Sequence, residues 1–119
     1  MNKLTIIGNL VRETELRTTQ DGTSVCSFTV AVNRKKDKEH PDYFRVSAWR
    51  QLGENCSKYL SKGSKVCVIG PVTVRTYETS KGEHGASMEV TADEVEFLSS
   101  RNTDPQTGYE KVEPSDLPY

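Results

Sequence analysis

The chain is built mainly from short segments in which side-chain character alternates with a period of two, the period of a β-strand. These segments are rich in Val, Ile, Thr and aromatic residues and are separated by turn residues. One stretch differs, because Leu52, Cys56, Tyr59 and Leu60 recur at helical spacing and Gly63 follows where a C-terminal cap is expected. The sequence therefore predicts one short helix and five strands, at residues 3–11, 25–33, 42–50, 65–79 and 86–98.

The helix falls between the third and fourth predicted strands, so the order is β-β-β-α-β-β. This is the order of the OB-fold, an all-β, five-stranded and partly open barrel that often binds oligonucleotides or oligosaccharides. The pattern alone leaves a small SH3-like barrel or another α+β arrangement open. Asp21-Gly22 predicts a hairpin turn, and Gly8 and Gly70 inside strands indicate bends of the sheet. A bulge or strand end is expected near Asp93.

The strand pattern stops after Leu98. Residues 99–119 contain three prolines and few large apolar side chains, so they bury too little surface to offset the entropy of ordering them. The sequence predicts an OB-fold domain over residues 1–98 and a short acidic, flexible tail over residues 99–119.

Charge and cysteine usage narrow the possible partners and locations. The net charge of −1 means that a site for a polyanion has to be a local patch, and Arg34-Lys35-Lys36 with Lys38 is the clearest candidate. The three cysteines form no pairing or metal-ligand pattern and are expected to be reduced and buried. No charged leader or long apolar run is evident, which predicts a cytoplasmic protein.

The third and fourth predicted strands carry aromatic and cationic residues in phase. Tyr43, Arg45 and Trp49 share one face of the third strand, and Arg75 and Tyr77 share one face of the fourth. Exposed bases stack on aromatic rings, and phosphates are attracted to arginine, so this combination suits single-stranded nucleic acid without sequence preference. The alternative is that these rings lie in the barrel core or in a subunit interface.

The order and spacing of several motifs resemble bacterial and phage single-stranded DNA-binding proteins over residues 1–98 and again at the last few residues. The matching segments are MNKLTIIGNL at residues 1–10, Glu15-Leu16-Arg17, Gly22-Thr23, YLSKG at residues 59–63, Val66, Val68 and Gly70, and ADEVEFL at residues 92–98. The resemblance implies an OB-fold protein that coats single-stranded DNA during replication, recombination and repair, in the cytoplasm and associated with the nucleoid.

The resemblance also implies roles for individual residues. The family's stacking aromatics fall on Tyr43, Trp49 and Tyr77, and its backbone-contacting basic sites fall on Arg45 and Arg75. A fourth family aromatic falls near Lys36, where this chain has a cation. The expected DNA-binding residues are therefore Tyr43, Trp49, Tyr77, Arg45 and Arg75, with the loop cations Arg34, Lys35 and Lys36.

The end of the chain resembles the acidic peptide with a Pro-Phe tip by which family members dock onto replication and repair proteins. Here the tip is Asp116-Leu117-Pro118-Tyr119, with Tyr in place of Phe. The resemblance further implies a homotetramer.

The competing class is an enzyme such as a small nuclease, which needs clustered carboxylates or histidines to hold a metal. His40 and His84 lie in predicted loops, and Asp93, Glu94 and Glu96 are interpreted as a solvated edge. We expect no enzyme activity, cofactor or metal. A binding module for RNA, or an adaptor that binds only replication proteins, remains open on the same fold.

Overall fold

The computed structural model describes residues 1–37 and 39–99, which form eight strands and one helix. The helix α1 spans Arg50–Tyr59. The strands are β1 (Leu4–Leu10), β2 (Glu15–Thr18), β3 (Ser24–Val32), β4 (Asp42–Trp49), β5 (Lys65–Gly70), β6 (Val72–Glu78), β7 (His84–Thr91) and β8 (Glu94–Phe97).

The strands pair in the order β6-β7-β4-β3-β1-β5-β8, with β2 added beside β3. All of these pairs are antiparallel except β4 with β7. The helix lies between β4 and β5, as predicted. A strongly bent, mostly antiparallel sheet with one helix at this place is the partly open barrel of the OB-fold, so the predicted fold class is confirmed.

The fourth and fifth predicted strands are each divided in two. Pro71 separates β5 from β6, and Ala92-Asp93 separates β7 from β8. The prediction of one continuous strand over residues 65–79 is therefore wrong, because proline has no N–H to donate to a ladder and interrupts the strand. The bends lie side by side, because Thr91 N donates to Pro71 O at 3.1 Å and Asp93 N donates to Ile69 O at 2.8 Å. The predicted strand end near Asp93 is confirmed.

Two glycines allow the close approach of neighbouring strands. A Cβ on Gly8 would overlap the carbonyl oxygen of Ala31, and a Cβ on Gly70 would overlap that of Thr91. Both glycines are structural, as predicted. The predicted turn at Asp21-Gly22 joins β2 to β3, where Gly22 has φ +87°.

The core lies inside the barrel, and α1 closes one of its ends. Its largest fully buried side chains are Leu60, Val30, Val46, Val66, Val68, Val90, Cys26 and Cys56. Cys67 is also buried, and all three cysteines are free. Burial raises the pKa of the Cys56 thiol to about 12. The prediction of buried, reduced cysteines is confirmed.

The predicted role of Gly63 as the cap of the helix is wrong. The helix ends at Tyr59, and Leu60 turns to an extended conformation that places its side chain in the core. Gly63 lies in the next turn with φ +90°, where its N–H donates to Leu10 O at 2.9 Å. Gly63 adopts the left-handed conformation that glycine readily takes, but it does so in a turn and not at the end of the helix.

Candidate nucleic-acid interface

Side chains along β4 alternate between the core on one face and the candidate site on the other. Val46 and Ala48 are buried and Phe44 is half-buried, whereas Tyr43 and Arg45 are exposed. Trp49, at the end of the strand, is exposed on the same side as Tyr43. The predicted assignment of β4 side chains to an apolar and an aromatic-cationic face is confirmed.

The candidate surface continues from β4 across β7 to β6. The register places Arg45 beside Glu89, and Glu89 beside Thr73. Arg75 and Tyr77 follow Thr73 at alternate positions and are exposed. The structure therefore brings both predicted arginines and all three predicted aromatics to one side of neighbouring strands. Glu89 was not anticipated there.

Tyr77 is positioned by the glycine opposite to it. Gly85 is its cross-strand partner on β7, and a Cβ on Gly85 would lie only 2.5 Å from Tyr77 Cζ. The ring therefore packs against the bare backbone of Gly85, an arrangement that shields a glycine in a strand. Because the ring is still 51% exposed, it offers a surface on which a base can stack.

Trp49 lies where β4 meets α1. It is the N-cap residue in an extended conformation, and Arg50 after it has φ +58°, a left-handed conformation that is uncommon outside glycine. This reversal lets the helix fold back over the core while Trp49 stays at the surface. Trp49 and Arg50 line an open groove of about 560 Å³ with the β2–β3 turn, at Thr19, Gln20, Asp21 and Thr23.

Arg50 and Arg12 are cations beside the candidate surface that sequence analysis missed. Arg12 and Arg45 both line a small groove of about 60 Å³ outside β3, together with Glu13 and Glu15. Arg50 directly follows Trp49 in sequence, but strand alternation places it on the opposite face of the predicted third strand, and only its left-handed backbone at the start of α1 leaves it beside Trp49 in the groove. Arg12 is distant from Arg45 in sequence, so its proximity to the predicted site arises from the folded backbone.

The cations of the loop before β4 differ in their availability. Arg34 donates from Nε and Nη2 to Asp42 Oδ1, at 3.1 and 2.7 Å, and this hydrogen bonding raises the pKa of the guanidinium. Lys35 and Lys36 are exposed, and no ion pair to either is found within residues 1–37 and 39–99. Lys38 lies outside the described residues.

The structure excludes one alternative for the aromatic residues, namely that their rings lie in the barrel core. The exposed fractions are 57% for Tyr43, 40% for Trp49 and 51% for Tyr77, so none of the three rings belongs to the barrel core.

In the part of the chain that the structure describes, no group of three or more His, Cys, Asp or Glu side chains could hold a metal ion. In the same part, no helix is long and apolar enough to cross a membrane.

Comparison with known proteins agrees with this geometry. The model of the single-strand binding protein family matches residues 1–98, which is most of the chain. The chain belongs to this family. Single-strand binding proteins act by binding DNA rather than by catalysis, so the prediction that the chain is not an enzyme is confirmed.

Three curated single-strand binding proteins illustrate the similarity. The chain is 41% identical to Single-stranded DNA-binding protein 1 of Staphylococcus aureus strain MSSA476 over 108 residues, covering 87% of this chain and 69% of that protein. It is 36% identical to the Single-stranded DNA-binding protein of Halalkalibacterium halodurans, with coverage of 91% and 67%. It is 37% identical to Single-stranded DNA-binding protein 2 of Listeria innocua, with coverage of 86% and 67%.

The predicted partner-binding tip, Asp116-Leu117-Pro118-Tyr119, lies outside the described residues. So does the rest of the predicted tail except Ser99, which follows β8 by two residues. Ser99 Oγ accepts a hydrogen bond from Lys65 N at 2.7 Å. Ser99 is thus tied to the start of β5.

Proposed function

We propose that this chain coats single-stranded DNA without sequence preference, stacking bases on Tyr43, Trp49 and Tyr77. The observation that carries the proposal is that these three rings are exposed, while Val46 and Ala48 on β4 and Val90 on β7 fill the core on the opposite side of the sheet. Stacking on an aromatic ring contributes roughly 1–3 kcal/mol per base and varies little with the base. Affinity is therefore expected to depend on the presence of unpaired bases rather than on their order.

The phosphates are held, in this proposal, by Arg45 and Arg75 on the sheet and by Lys35 and Lys36 in the loop before β4. Arg34 contributes less directly, because Asp42 already accepts two hydrogen bonds from its guanidinium. Arg45 has no carboxylate within ion-pair distance among the described residues, so its charge is available to the strand. DNA is favoured over RNA because the curated relatives described above are named as single-stranded DNA-binding proteins.

Arg45→Ala is expected to weaken binding to oligo(dT) and to flatten its salt dependence. Each lost phosphate contact reduces the slope of log affinity against log salt by about 0.7, because fewer counterions are released from a single strand. The slope is measured by titration at several salt concentrations. Lys58→Ala is the matched control, since it removes one positive charge beside Tyr59 at the end of α1. An unchanged slope for Arg45→Ala would exclude this arginine from the phosphate contacts.

The cellular role that we propose is protection of single strands in DNA replication, recombination and repair, in the cytoplasm and on the nucleoid. The tip Asp116-Leu117-Pro118-Tyr119 would recruit partner proteins, with the apolar end filling a pocket and a basic partner residue holding the carboxylates. A homotetramer is proposed on the family resemblance. It is supported by exposed apolar side chains outside the proposed DNA surface, such as Ile7 on β1 and Phe97 on β8.

A further inference from the structure

Among the residues that the structure describes, Glu89 is the one carboxylate that the strand register places in the middle of the proposed DNA surface. It lies on β7 between Arg45 on β4 and Thr73 on β6. Its chain neighbour Val90 is buried in the core, so the side chain of Glu89 points to the opposite, outer face. A negative charge at this place opposes the approach of DNA phosphates.

The carboxylate of Glu89 forms an ion pair with Arg75, whose Nε lies 3.7 Å from Glu89 Oε2. This distance is too long for a hydrogen bond, and no hydrogen bond to the side-chain carboxylate of Glu89 is found among residues 1–37 and 39–99. The Arg75 side chain is 71% exposed, whereas that of Glu89 is 33% exposed. An exposed pair with this geometry is weak, so Arg75 is able to exchange its partner.

The pair between Arg34 and Asp42 provides a contrast within the same surface. There the guanidinium donates twice to one carboxylate oxygen, with a shortest distance of 2.7 Å. Charge-assisted hydrogen bonds of this length are strong compared with an ion pair that lacks a hydrogen bond. Arg34 is therefore held by its carboxylate, while Arg75 is only loosely neutralised by Glu89.

We propose that Glu89 competes with DNA phosphates for Arg75, so that binding of a strand exchanges an internal carboxylate for a phosphate. Glu89 is a positioning residue in this scheme, because it acts on DNA through Arg75. While the pair is formed, Arg75 and Glu89 together carry no net charge, so they attract a phosphate less than Arg75 alone would. Glu89 thereby lowers the affinity and the salt dependence of binding and eases release of the strand. This inference rests on the proposed DNA site.

The test is the affinity of Glu89→Gln for oligo(dT) at low salt, measured beside the parent protein. Removing the carboxylate at constant side-chain size is expected to tighten binding by about twofold to fivefold, the upper part of the range of a surface charge interaction. The slope of log affinity against log salt is expected to steepen by about 0.7, because the net charge facing the phosphates rises by one. Glu89→Thr, which suits a β-strand, is expected to act in the same direction.

Glu96→Gln is the matched control, since it removes the same charge from β8, where Glu96 pairs with Cys67. Its affinity is expected to equal that of the parent protein. Weaker binding by Glu89→Gln would overturn the proposal, because it would mean that Glu89 holds Arg75 in its productive position. Unchanged binding by both Glu89 variants would overturn it as well.

Arg75→Ala and the double variant Arg75→Ala/Glu89→Gln separate this inference from the proposed site. If Glu89 acts through Arg75, Glu89→Gln tightens binding less in the Arg75→Ala background than in the parent. An equal gain in both backgrounds would overturn the exchange. If Arg75→Ala binds DNA as the parent does, the placement of Arg75 in the DNA site is itself wrong. If Arg75→Ala weakens binding and Glu89→Gln does not tighten it, only the role of Glu89 fails.

Discussion

Replacing Trp49 with alanine is expected to weaken binding to oligo(dT) by about 1–3 kcal/mol, which is roughly a five-fold to hundred-fold loss of affinity. The reason is that Trp49 presents the largest ring of the proposed surface and lines an open groove with the β2–β3 turn. Tyr43→Ala and Tyr77→Ala are expected to have smaller or similar effects. Affinities from titration of the purified variants, at one salt concentration, give the comparison.

Tyr59→Ala is the control for this series. Tyr59 is also an exposed aromatic, but it contacts Phe97 at a centroid distance of 5.8 Å at the end of α1, away from the β4–β7–β6 surface. Its removal is expected to leave DNA affinity unchanged. The stacking account would be contradicted if the three site variants bound DNA normally but unfolded at lower temperature, because the rings would then act only in stability.

Deleting Pro118 and Tyr119 is expected to abolish capture of replication and repair proteins from a bacterial lysate. In the proposed tip these residues supply the apolar contact with the partner protein. Tyr119→Phe is the matched control, since it keeps the ring and is expected to retain or improve capture. Equal capture by the deletion and the parent protein would contradict the role of the tip.

A chain ending at Ser99 extends this test to the whole tail. This shortened chain keeps all the residues that the structure describes. They include Ser99, which accepts a hydrogen bond from Lys65. Binding of single strands is expected to be equal or slightly tighter at low salt, because residues 101–119 carry four acidic and two basic side chains that compete with phosphates. The gain is expected to fade at high salt. Aggregation or weaker binding would show that the tail belongs to the domain.

Most strands, the helix and the aromatic face of β4 were predictable because they depend on local periodicity, whereas the choice of the OB-fold over other small folds rested on the resemblance to the family. The alternation along β4 places Tyr43 and Trp49 opposite Val46 and Ala48, whatever the rest of the chain does. The helical spacing likewise identified Cys56 as fully buried, whereas Tyr59 of the same predicted stripe is exposed and Leu60 is buried from the extended segment after the helix. These features follow from the spacing of residues near one another in sequence.

Features without a periodic signal were missed. Every residue of β2 is exposed, so Glu15–Thr18 shows no alternation and pairs with β3 only because the following turn brings it there. The left-handed conformation of Arg50 has no signature in its residue type. Glu89 lies in the site because β4 pairs in parallel with β7, and these two strands are distant in sequence. Such contacts require the register of the whole sheet.

The emission of Trp49 tests the central proposal most directly, since it is the only tryptophan in the chain. A thymine base stacked on its ring is expected to quench the fluorescence strongly when oligo(dT) is added to the unmodified protein. Duplex DNA, whose bases are already paired and stacked, is expected to change the emission little. Unchanged emission under conditions in which a gel shift demonstrates binding of oligo(dT) would contradict the placement of Trp49 on the bound face.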